Sequence, residues 1–285
     1  MSELGETRIG ARIFRWGERT FVMGILNVTP DSFSGDGLLA AEDAVAAAVA
    51  KAVEMAGEGA DLLDIGGEST RPGHVTVDEA EELRRTIPVV RAVRSALPSM
   101  PLTIDTTKPG VAEAALAAGA NAINDIWGVG EDDSLARLAA ARDAPLIVMH
   151  NRAEARYADV VGEVVGDLQR AIERAVQMGV PPANLIVDPG IGFGKTADHN
   201  LELLRRLGEL RVLGRPILLG TSRKSTLGRV LDLPADQRVE ATLATTALGI
   251  AAGADIVRVH DVLENVRAAR MADAIVRGSW REATA

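Results

Sequence analysis

The chain has 285 residues, 47% of them hydrophobic and 25% charged, and its formal net charge at pH 7 is −9. This length suits one large α/β domain, and the negative charge argues against a surface for nucleic acid. The sequence contains no cysteine, which excludes disulfides, a thiolate nucleophile and a Cys-ligated metal. It shows neither a signal-peptide pattern nor an apolar run near the roughly 18 residues that span a bilayer, so we expect a cytoplasmic protein without membrane contact.

Eight short runs rich in Val, Ile and Leu recur along the chain. They are nearly continuous in their apolar character, which is typical of buried parallel strands rather than of strands with one wet face. The eight predicted strands span residues 21–28, 60–67, 101–106, 122–128, 145–150, 184–190, 216–222 and 254–261.

Longer stretches with helical periodicity separate these runs. The first covers 39–59, and the second begins at a capping-box pattern of Thr76 and Glu79 and ends before Leu97. Pro109 suits the first turn of a third helix, and the acidic residues 131–133 suit the start of a fourth. Further helices are predicted over 160–179, 198–210, 235–252 and 262–276.

The strict alternation of strand and helix predicts a parallel sheet with right-handed crossovers, and eight such units close a (β/α)8 TIM barrel. An open doubly wound sheet is the alternative, but the first turn, residues 27–31, lacks its glycine-rich pattern. Residues 1–20 are predicted to form a hairpin that covers the bottom of the barrel. We therefore expect one domain over 1–285, with the barrel itself over 21–278.

Polar residues gather after the predicted strands, at the carboxyl ends where such barrels place their catalytic groups. In chain order they are Asn27, Asp31, Thr70, Arg71, Pro72, Asp105, Asn124, Asp188, Phe193, Lys224, Ser225, Arg258 and His260. Three of the four lysines and three of the four histidines also fall on this side. The asymmetry predicts an active site at this end of the barrel.

The residue types indicate what the site binds. Thr70, Arg71, Arg258 and His260 can donate hydrogen bonds to anionic oxygens, which suits a phosphate or pyrophosphate. A further set, Asp105, Asn124 and Asp188, suits a flat heterocycle with several N–H donors. Asn27 and Asp31 suit a hard cation such as Mg²⁺.

Several polar residues have two interpretations. Asp64 and Asp125 either belong to the site or hold loops by hydrogen bonds, and His74 and His150 suit packing more than catalysis. The glycine-rich segment 189–195 is not a Walker A motif, because Pro189 stands where the first glycine belongs. We interpret it as a turn that lets the backbone approach a ligand.

At these residues the sequence resembles the dihydropteroate synthase family of pterin-binding enzymes. The matching segments are 23–34 (MGILNVTPDSFS), 63–73 (LDIGGESTRPG), 104–106 (IDT), 123–126 (INDI), 188–195 (DPGIGFGK), 222–225 (SRKS) and 258–262 (RVHDV). The resemblance implies condensation of 6-hydroxymethyl-7,8-dihydropterin pyrophosphate with p-aminobenzoate, in an SN1-like substitution that needs Mg²⁺. It also implies a homodimer.

The resemblance further implies a role for each matching residue. Asp105, Asn124 and Asp188 would hold the pterin with Lys224 against it, and Thr70, Arg71, Arg258 and His260 would hold the pyrophosphate. Asn27 would lie at the Mg²⁺ end, and Pro72, Phe193 and Ser225 would shape the aminobenzoate site. Asp31, Arg71 and Lys224 would be the catalytic residues, with Asp31 facing the reacting methylene.

Two segments depart from the family pattern, at 34–37 and at 151–157. Two rival functions follow from the same pterin site. One is a pterin-dependent methyltransferase, which has no need of Arg71, Arg258, His260 or the first loop. The other is a catalytically idle paralogue that binds pterin without turnover.

Overall fold

The computed structural model describes residues 4–28, 41–68, 77–128, 130 and 132–278. Its strands are β1 (Glu6–Ile9), β2 (Arg12–Arg15), β3 (Phe21–Asn27), β4 (Leu62–Gly66), β5 (Leu102–Asp105), β6 (Ala122–Asp125), β7 (Leu146–Met149), β8 (Leu185–Asp188), β9 (Leu218–Leu219) and β10 (Ile256–Val259). The α-helices in these ranges are α1 (Ala41–Gly57), α2 (Glu79–Ala96), α3 (Pro109–Ala118), α4 (Ser134–Ala141), α5 (Val160–Gln177), α6 (Ala197–Arg205), α7 (Ser225–Leu231), α8 (Val239–Ala251) and α9 (Val262–Val276).

Strands β3 to β10 form one parallel sheet in the order β8-β7-β6-β5-β4-β3-β10-β9. A single parallel bridge between Val187 and Ile217 joins the two ends of this sheet, so the barrel is nearly closed. The predicted (β/α)8 barrel is thereby confirmed. Its main core lies between the strands and the surrounding helices, with Leu63, Ile65, Val89 and Leu203 among its buried residues.

The N-terminal hairpin is also confirmed. β1 pairs antiparallel with β2, and the aromatic rings of Phe14 and Trp16 lie 4.7 Å and 5.5 Å from the ring of Phe21. These side chains form a second buried cluster with the first inward residues of the strands, which include Leu62, Ala122, Ile186 and Ile256. The hairpin therefore supplies an apolar floor to the barrel interior.

Several helix boundaries differ from the sequence prediction. α2 begins after Asp78, whose carboxylate accepts a hydrogen bond from the Glu81 N–H at 2.8 Å, so the cap is Asp78 and not Thr76. α6 ends at Arg205 and continues as the 3-10 helix Leu207–Leu213, and α8 begins at Val239 after the 3-10 turn Ala235–Gln237. The short helix α7 was not predicted, because its seven residues carry too little periodicity to distinguish it from a loop.

The alternation of side chains along each strand determines what lies above the floor. Residues two positions after a floor residue share its inward face. Leu62 is thus followed by Asp64, Ala122 by Asn124, Ile186 by Asp188 and Ile256 by Arg258. The layer directly above the apolar floor is therefore polar and charged.

Candidate active site

The structure places nine of the predicted site residues on the carboxyl side of the barrel. Asn27, Asp105 and Asp188 each end a strand, while Asn124 and Arg258 lie near strand ends. The remaining four are Phe193 and His260 in loops and Lys224 and Ser225 at the start of α7. The other four predicted residues, Asp31, Thr70, Arg71 and Pro72, lie outside the described residues.

Arg258 connects two carboxylates inside the barrel. Its Nε donates to Asp64 at 2.6 Å, and its Nη2 donates to Asp105 at 2.8 Å. Asp64 has no solvent exposure and Asp105 is nearly as deeply buried. Because a buried charge is costly unless it is paired and hydrogen bonded, the three groups are held in one arrangement.

Asp64 also determines how Asn124 is oriented. The Asp64 carboxylate accepts a hydrogen bond from Asn124 Nδ2 at 2.9 Å and another from the Thr103 hydroxyl. An ionised carboxylate can only accept, so the amide must present its NH2 to Asp64. The carbonyl oxygen Oδ1 is then the atom that Asn124 can offer to a ligand N–H. The site interpretation of Asp64 is therefore favoured over a purely loop-holding one.

Burial raises the pKa of two site carboxylates that end strands, Asp105 and Asp188. Burial raises the pKa of Asp105 above its ordinary value, against the opposing effect of the Arg258 charge. Burial likewise raises the pKa of Asp188 to about 6, although the N–H of Gly190 donates to its Oδ1 at 2.7 Å. These carboxylates have little contact with solvent, and a ligand with N–H donors would add hydrogen bonds that favour their ionised forms.

Phe193 and Lys224 meet across the loops that follow β8 and β9. The Lys224 ammonium lies 4.0 Å from the centroid of the Phe193 ring, a cation–π contact. Arg223, next to Lys224, adopts a left-handed φ of 57° and forms an ion pair with Asp261 in the loop after β10. These contacts keep the Lys224 ammonium beside an aromatic face at the barrel mouth.

His260 is oriented by the hydroxyl of Ser222. Ser222 Oγ accepts the backbone N–H of His260 at 3.1 Å and lies 3.0 Å from its Nδ1. When the Ser222 hydroxyl donates to Nδ1, the ring proton lies on Nε2. Nε2–H is then a donor suited to an anionic oxygen.

Comparisons with known proteins agree with this geometry. Residues 23–260 match the family model described as pterin binding enzyme. The chain is 50% identical to dihydropteroate synthase of Clostridium beijerinckii over 95% of this chain and 99% of that protein. The chain belongs to the pterin-binding enzyme family.

Solved structures of this family share the fold throughout. A dihydropteroate synthase from Clostridium difficile, crystallised in the presence of pteroic acid, superposes with a TM-score of 0.89 at 49% identity, covering 93% of this chain and 99% of that one. A Xanthomonas albilineans dihydropteroate synthase with 4-aminobenzoic acid also gives 0.89, at 42% identity and with 95% and 97% coverage. The pterin-binding fold thus extends over almost the whole chain.

The family resemblance implies Mg²⁺, and the donor set of this pterin-binding chain fits it. No group of three or more His, Asp and Glu residues suited to a metal occurs among the described residues. Asn27 is half-buried at the end of β3 and offers an amide oxygen. Mg²⁺ commonly takes few protein oxygens and completes its shell with water and substrate phosphates, so one amide at the mouth suits a metal that arrives with a pyrophosphate.

Asp125 and His150, whose roles the sequence left open, make contacts that stabilise the fold. Asp125 accepts the N–H of Trp127 at 2.9 Å and so holds its own turn. His150 has no solvent exposure, and its ring lies between Asp167 and Lys195. The packing interpretation of His150 is therefore supported, while His74 lies outside the described residues.

The glycine-rich segment 189–195 approaches a neighbouring loop. A Cβ at Gly190 would lie 1.8 Å from the carbonyl oxygen of His150, and a Cβ at Gly194 would lie 2.1 Å from that of Arg152. Both glycines also have a left-handed φ, of 67° and 54°. The structure thus assigns these glycines to close packing against the loop after β7, whereas the sequence had suggested approach to a ligand.

Proposed function

We propose that this chain is a dihydropteroate synthase. It joins 6-hydroxymethyl-7,8-dihydropterin pyrophosphate to p-aminobenzoate and releases dihydropteroate and pyrophosphate, a transferase reaction of folate biosynthesis. The observation that carries the proposal is the set of three buried side chains, Asp105, Asn124 and Asp188, together with the partly buried Arg258 above the apolar floor. A flat ring rich in N–H groups suits this set, and relatives that are 42–50% identical carry the same name.

The pterin ring would bind deepest. Its amino group and ring N–H face acceptors: the carboxylate of Asp188, the carboxylate of Asp105 and the Oδ1 that Asn124 offers. Lys224 supplies a positive charge beside these carboxylates. Hydrogen bonds to charged acceptors in a buried site are among the stronger ones and give specificity for the ring.

The pyrophosphate would lie nearer the mouth. Hydrogen bonds among the described residues use the Nε and Nη2 of Arg258, and its other N–H groups suit an anion. His260 adds the Nε2–H favoured by Ser222. Thr70 and Arg71 remain predicted ligands of the same anion, outside the described residues.

The reaction needs no protein nucleophile. The C–O bond between the pterin methylene and pyrophosphate breaks, the electron pair leaves with pyrophosphate, and the electron-rich ring delocalises the resulting cation. The neutral amine of p-aminobenzoate then forms the C–N bond and loses a proton. Protein charges that are already in place to match those developing in the transition state lower the barrier to C–O cleavage. This is the role we assign to Arg71 and Lys224. Asp31 is predicted to face the methylene.

Asn27 would hold Mg²⁺ through its amide oxygen. When bound, Mg²⁺ supplies charge neutralisation to the pyrophosphate and so makes it a better leaving group. The placement of Asn27 at the end of β3, on the same side as His260, supports this role.

The aminobenzoate would lie beside the ring of Phe193 and the start of α7. Its aromatic ring suits the Phe193 face, and its carboxylate suits the exposed Ser225 at the first position of that helix. Pro72 is the third residue predicted to shape this site. The contact between Phe193 and Lys224 joins this part of the site to the pterin part.

We also propose a homodimer in the cytoplasm. α8 and α9 pack against each other, and their outer faces expose Leu248, Met271 and Ile275 by 70%, 61% and 73%. Large exposed apolar residues on adjacent helices favour an interface with a second copy. A cytoplasmic location agrees with a charged pyrophosphate substrate, which does not cross a bilayer unaided. In the described residues no helix is both long and apolar enough to span one.

The direct test is an assay of the purified protein with Mg²⁺ and each substrate alone or together. We expect pyrophosphate release and dihydropteroate only when both substrates are present. Binding of pterin without product would refute the synthase and favour the idle paralogue. Methyl transfer from methyltetrahydrofolate would favour the methyltransferase instead.

A further inference from the structure

Lys195 is a partly buried cation for which the proposed reaction has no use. It ends the loop 189–195, and its ammonium lies 2.9 Å from His150 Nδ1, 3.0 Å from the carbonyl oxygen of Gly190 and 3.0 Å from that of Phe193. An ammonium has three protons to donate. These three short contacts match the three protons, and the carbonyl oxygen of His150 lies farther away, at 3.4 Å.

His150 is arranged to accept one of these protons. Its Nε2 lies 3.1 Å from the carboxylate of Asp167, which also accepts from Arg152 at 2.7 Å. A carboxylate accepts only, so Nε2 carries the ring proton and Nδ1 turns a lone pair to Lys195. Burial and the Lys195 charge lower the pKa of His150 to about 3, which keeps the ring neutral.

The two carbonyls that Lys195 binds belong to peptides next to site residues. The N–H of Gly190 donates to the Asp188 carboxylate at 2.7 Å, so Lys195 holds the other polar group of the same residue. The second carbonyl belongs to Phe193, whose ring contacts Lys224. Lys195 thus fixes the backbone on both sides of the ligand-facing part of the loop.

A few other hydrogen bonds among the described residues also fix this loop. The Tyr157 hydroxyl donates to the carbonyl of Gly194 at 2.9 Å, and Asn200 accepts the N–H of Gly192 at 2.8 Å. The Phe193 N–H donates to the carbonyl of Gly190 at 3.1 Å, inside the loop itself. The described side-chain donor to the Phe193 carbonyl is Lys195, so the ammonium ties the peptide that follows the aromatic ring to His150.

We propose that Lys195, oriented by the Asp167–His150 pair, is a positioning residue that holds the Phe193 ring in place for p-aminobenzoate. It touches neither substrate. The inference deepens the proposed function, because it names what organises the aminobenzoate side of the same site.

The surroundings of Lys195 make this role dependent on pH. Burial lowers the pKa of Lys195 to about 7, and the charges of Arg152 and Lys224 act in the same direction. Asp188 and Asp167 oppose them. Loss of one proton leaves two donors for three acceptors, so the loop is held less firmly as the pH rises above about 7.

The first test needs no variant. We expect the KM for p-aminobenzoate to rise by at least about threefold between pH 7 and 8.5, a range in which neither the amine nor the carboxylate of p-aminobenzoate titrates. The KM for the pterin substrate should change less. In the ¹⁵N spectrum, the Nδ1 resonance of His150, one of four histidines, should shift over the same pH range. A flat KM for p-aminobenzoate, or an unchanged His150 resonance, would overturn the proposal.

The second test compares Lys195→Met with Lys51→Met. Lys51 lies on α1 with an exposed ion pair to Glu54, so it controls for loss of a lysine charge. We expect Lys195→Met to raise the KM for p-aminobenzoate by about tenfold, to change kcat by less than about threefold and to abolish the pH dependence of that KM. Equal losses in kcat and in both KM values would show a merely structural role and overturn the proposal.

The two kinds of readout separate this proposal from the proposed function. If the wild-type protein makes no dihydropteroate, the synthase assignment fails, while the His150 resonance still tests the hydrogen bond from Lys195. If dihydropteroate forms and its p-aminobenzoate KM does not respond to pH, the synthase stands and the role of Lys195 fails.

Discussion

Asp64, which has no solvent exposure, holds Arg258 by a hydrogen bond of 2.6 Å from Nε inside the barrel. The same carboxylate receives the NH2 of Asn124. One acidic residue therefore orients a cation assigned to the pyrophosphate and an amide assigned to the pterin. This relationship makes Asp64 the residue on which both parts of the site depend.

The first prediction concerns Asp64→Asn, which keeps the shape of the side chain and removes its charge. Without this charge, either the NH2 or the oxygen of the Asn124 amide can face residue 64. Arg258 also loses a charged partner inside the barrel. We expect the Kd for hydroxymethylpterin to rise at least about tenfold, or about 1.4 kcal/mol, and the free energy of unfolding to fall by about 3 kcal/mol. Calorimetric titration and chemical denaturation measure the two effects.

Asp125→Asn is the matched control for this variant. Asp125 is a buried carboxylate on β6, two strands away from β4, yet its described hydrogen bond stays within its own turn. It should lower stability and leave the pterin Kd within about twofold. If both variants weaken pterin binding equally, Asp64 has no special part in the site.

The fold could be read from the sequence almost completely. The eight apolar runs became eight strands, because buried parallel strands need apolar side chains on both faces. α9 spans the predicted residues, Val262–Val276. The predicted strands were too long at most ends, because residues such as Gly190 and His260 were included where the polar loop begins. α7 was missed because its seven residues are too few to show a helical period.

The site was predicted in part. Reading the strand ends brought Asp105, Asn124, Asp188 and Arg258 together correctly, since parallel strands end on one side. The role of Asp64 required knowing which face of β4 turns inward. Asp64 lies two residues after Leu62 and therefore faces inward with it, but this follows only once Leu62 is known to belong to the apolar floor. The Asp167–His150–Lys195 chain joins α5 to two loops, and spacing along the sequence gives no sign of such a contact.

The second prediction follows from the raised pKa of Asp188. At pH 5 its carboxyl is mostly protonated in the free protein, because burial raises the pKa to about 6. Pterin N–H donors favour the ionised form, so binding must release a proton at low pH. We expect the Kd for hydroxymethylpterin to fall about fivefold between pH 5 and 6, to have fallen about tenfold by pH 7 and to level off above. Titration calorimetry in two buffers of different ionisation enthalpy counts the released protons.

As the pH rises, the free energy of unfolding of the free protein should decrease, whereas its affinity for pterin increases. A carboxyl whose pKa is higher in the folded state binds more protons there than in the unfolded chain, between about pH 4 and 6. Stability should therefore decrease as the pH rises through this window. Asp125, whose pKa burial also raises to about 6, contributes to this stability change but should not affect pterin binding. A pH-independent pterin Kd in the wild-type protein would contradict the prediction.

The third prediction concerns Mg²⁺ and Asn27. Replacing Asn27 with Ala removes the amide oxygen, so the KM for dihydropterin pyrophosphate and the Mg²⁺ concentration for half-maximal rate should each rise about tenfold. Asn27→Asp retains an oxygen ligand and should restore most of the affinity for the metal. The Kd for hydroxymethylpterin, which lacks the pyrophosphate, should be unchanged in both variants. An equal loss for both pterins would place Asn27 at the ring and not at the metal.

The fourth prediction concerns the exposed faces of α8 and α9. Leu248→Asp combined with Ile275→Asp places two charges on the proposed interface, where burial of an unpaired carboxylate is costly. Sedimentation velocity should show a dimer for the wild-type chain and a monomer for this variant, with the mean helix content retained. Val176→Asp, at a 39% exposed position on α5, is the control and should leave the dimer intact. A wild-type chain that sediments as a monomer, or a double variant that still dimerises, would exclude this face as the interface.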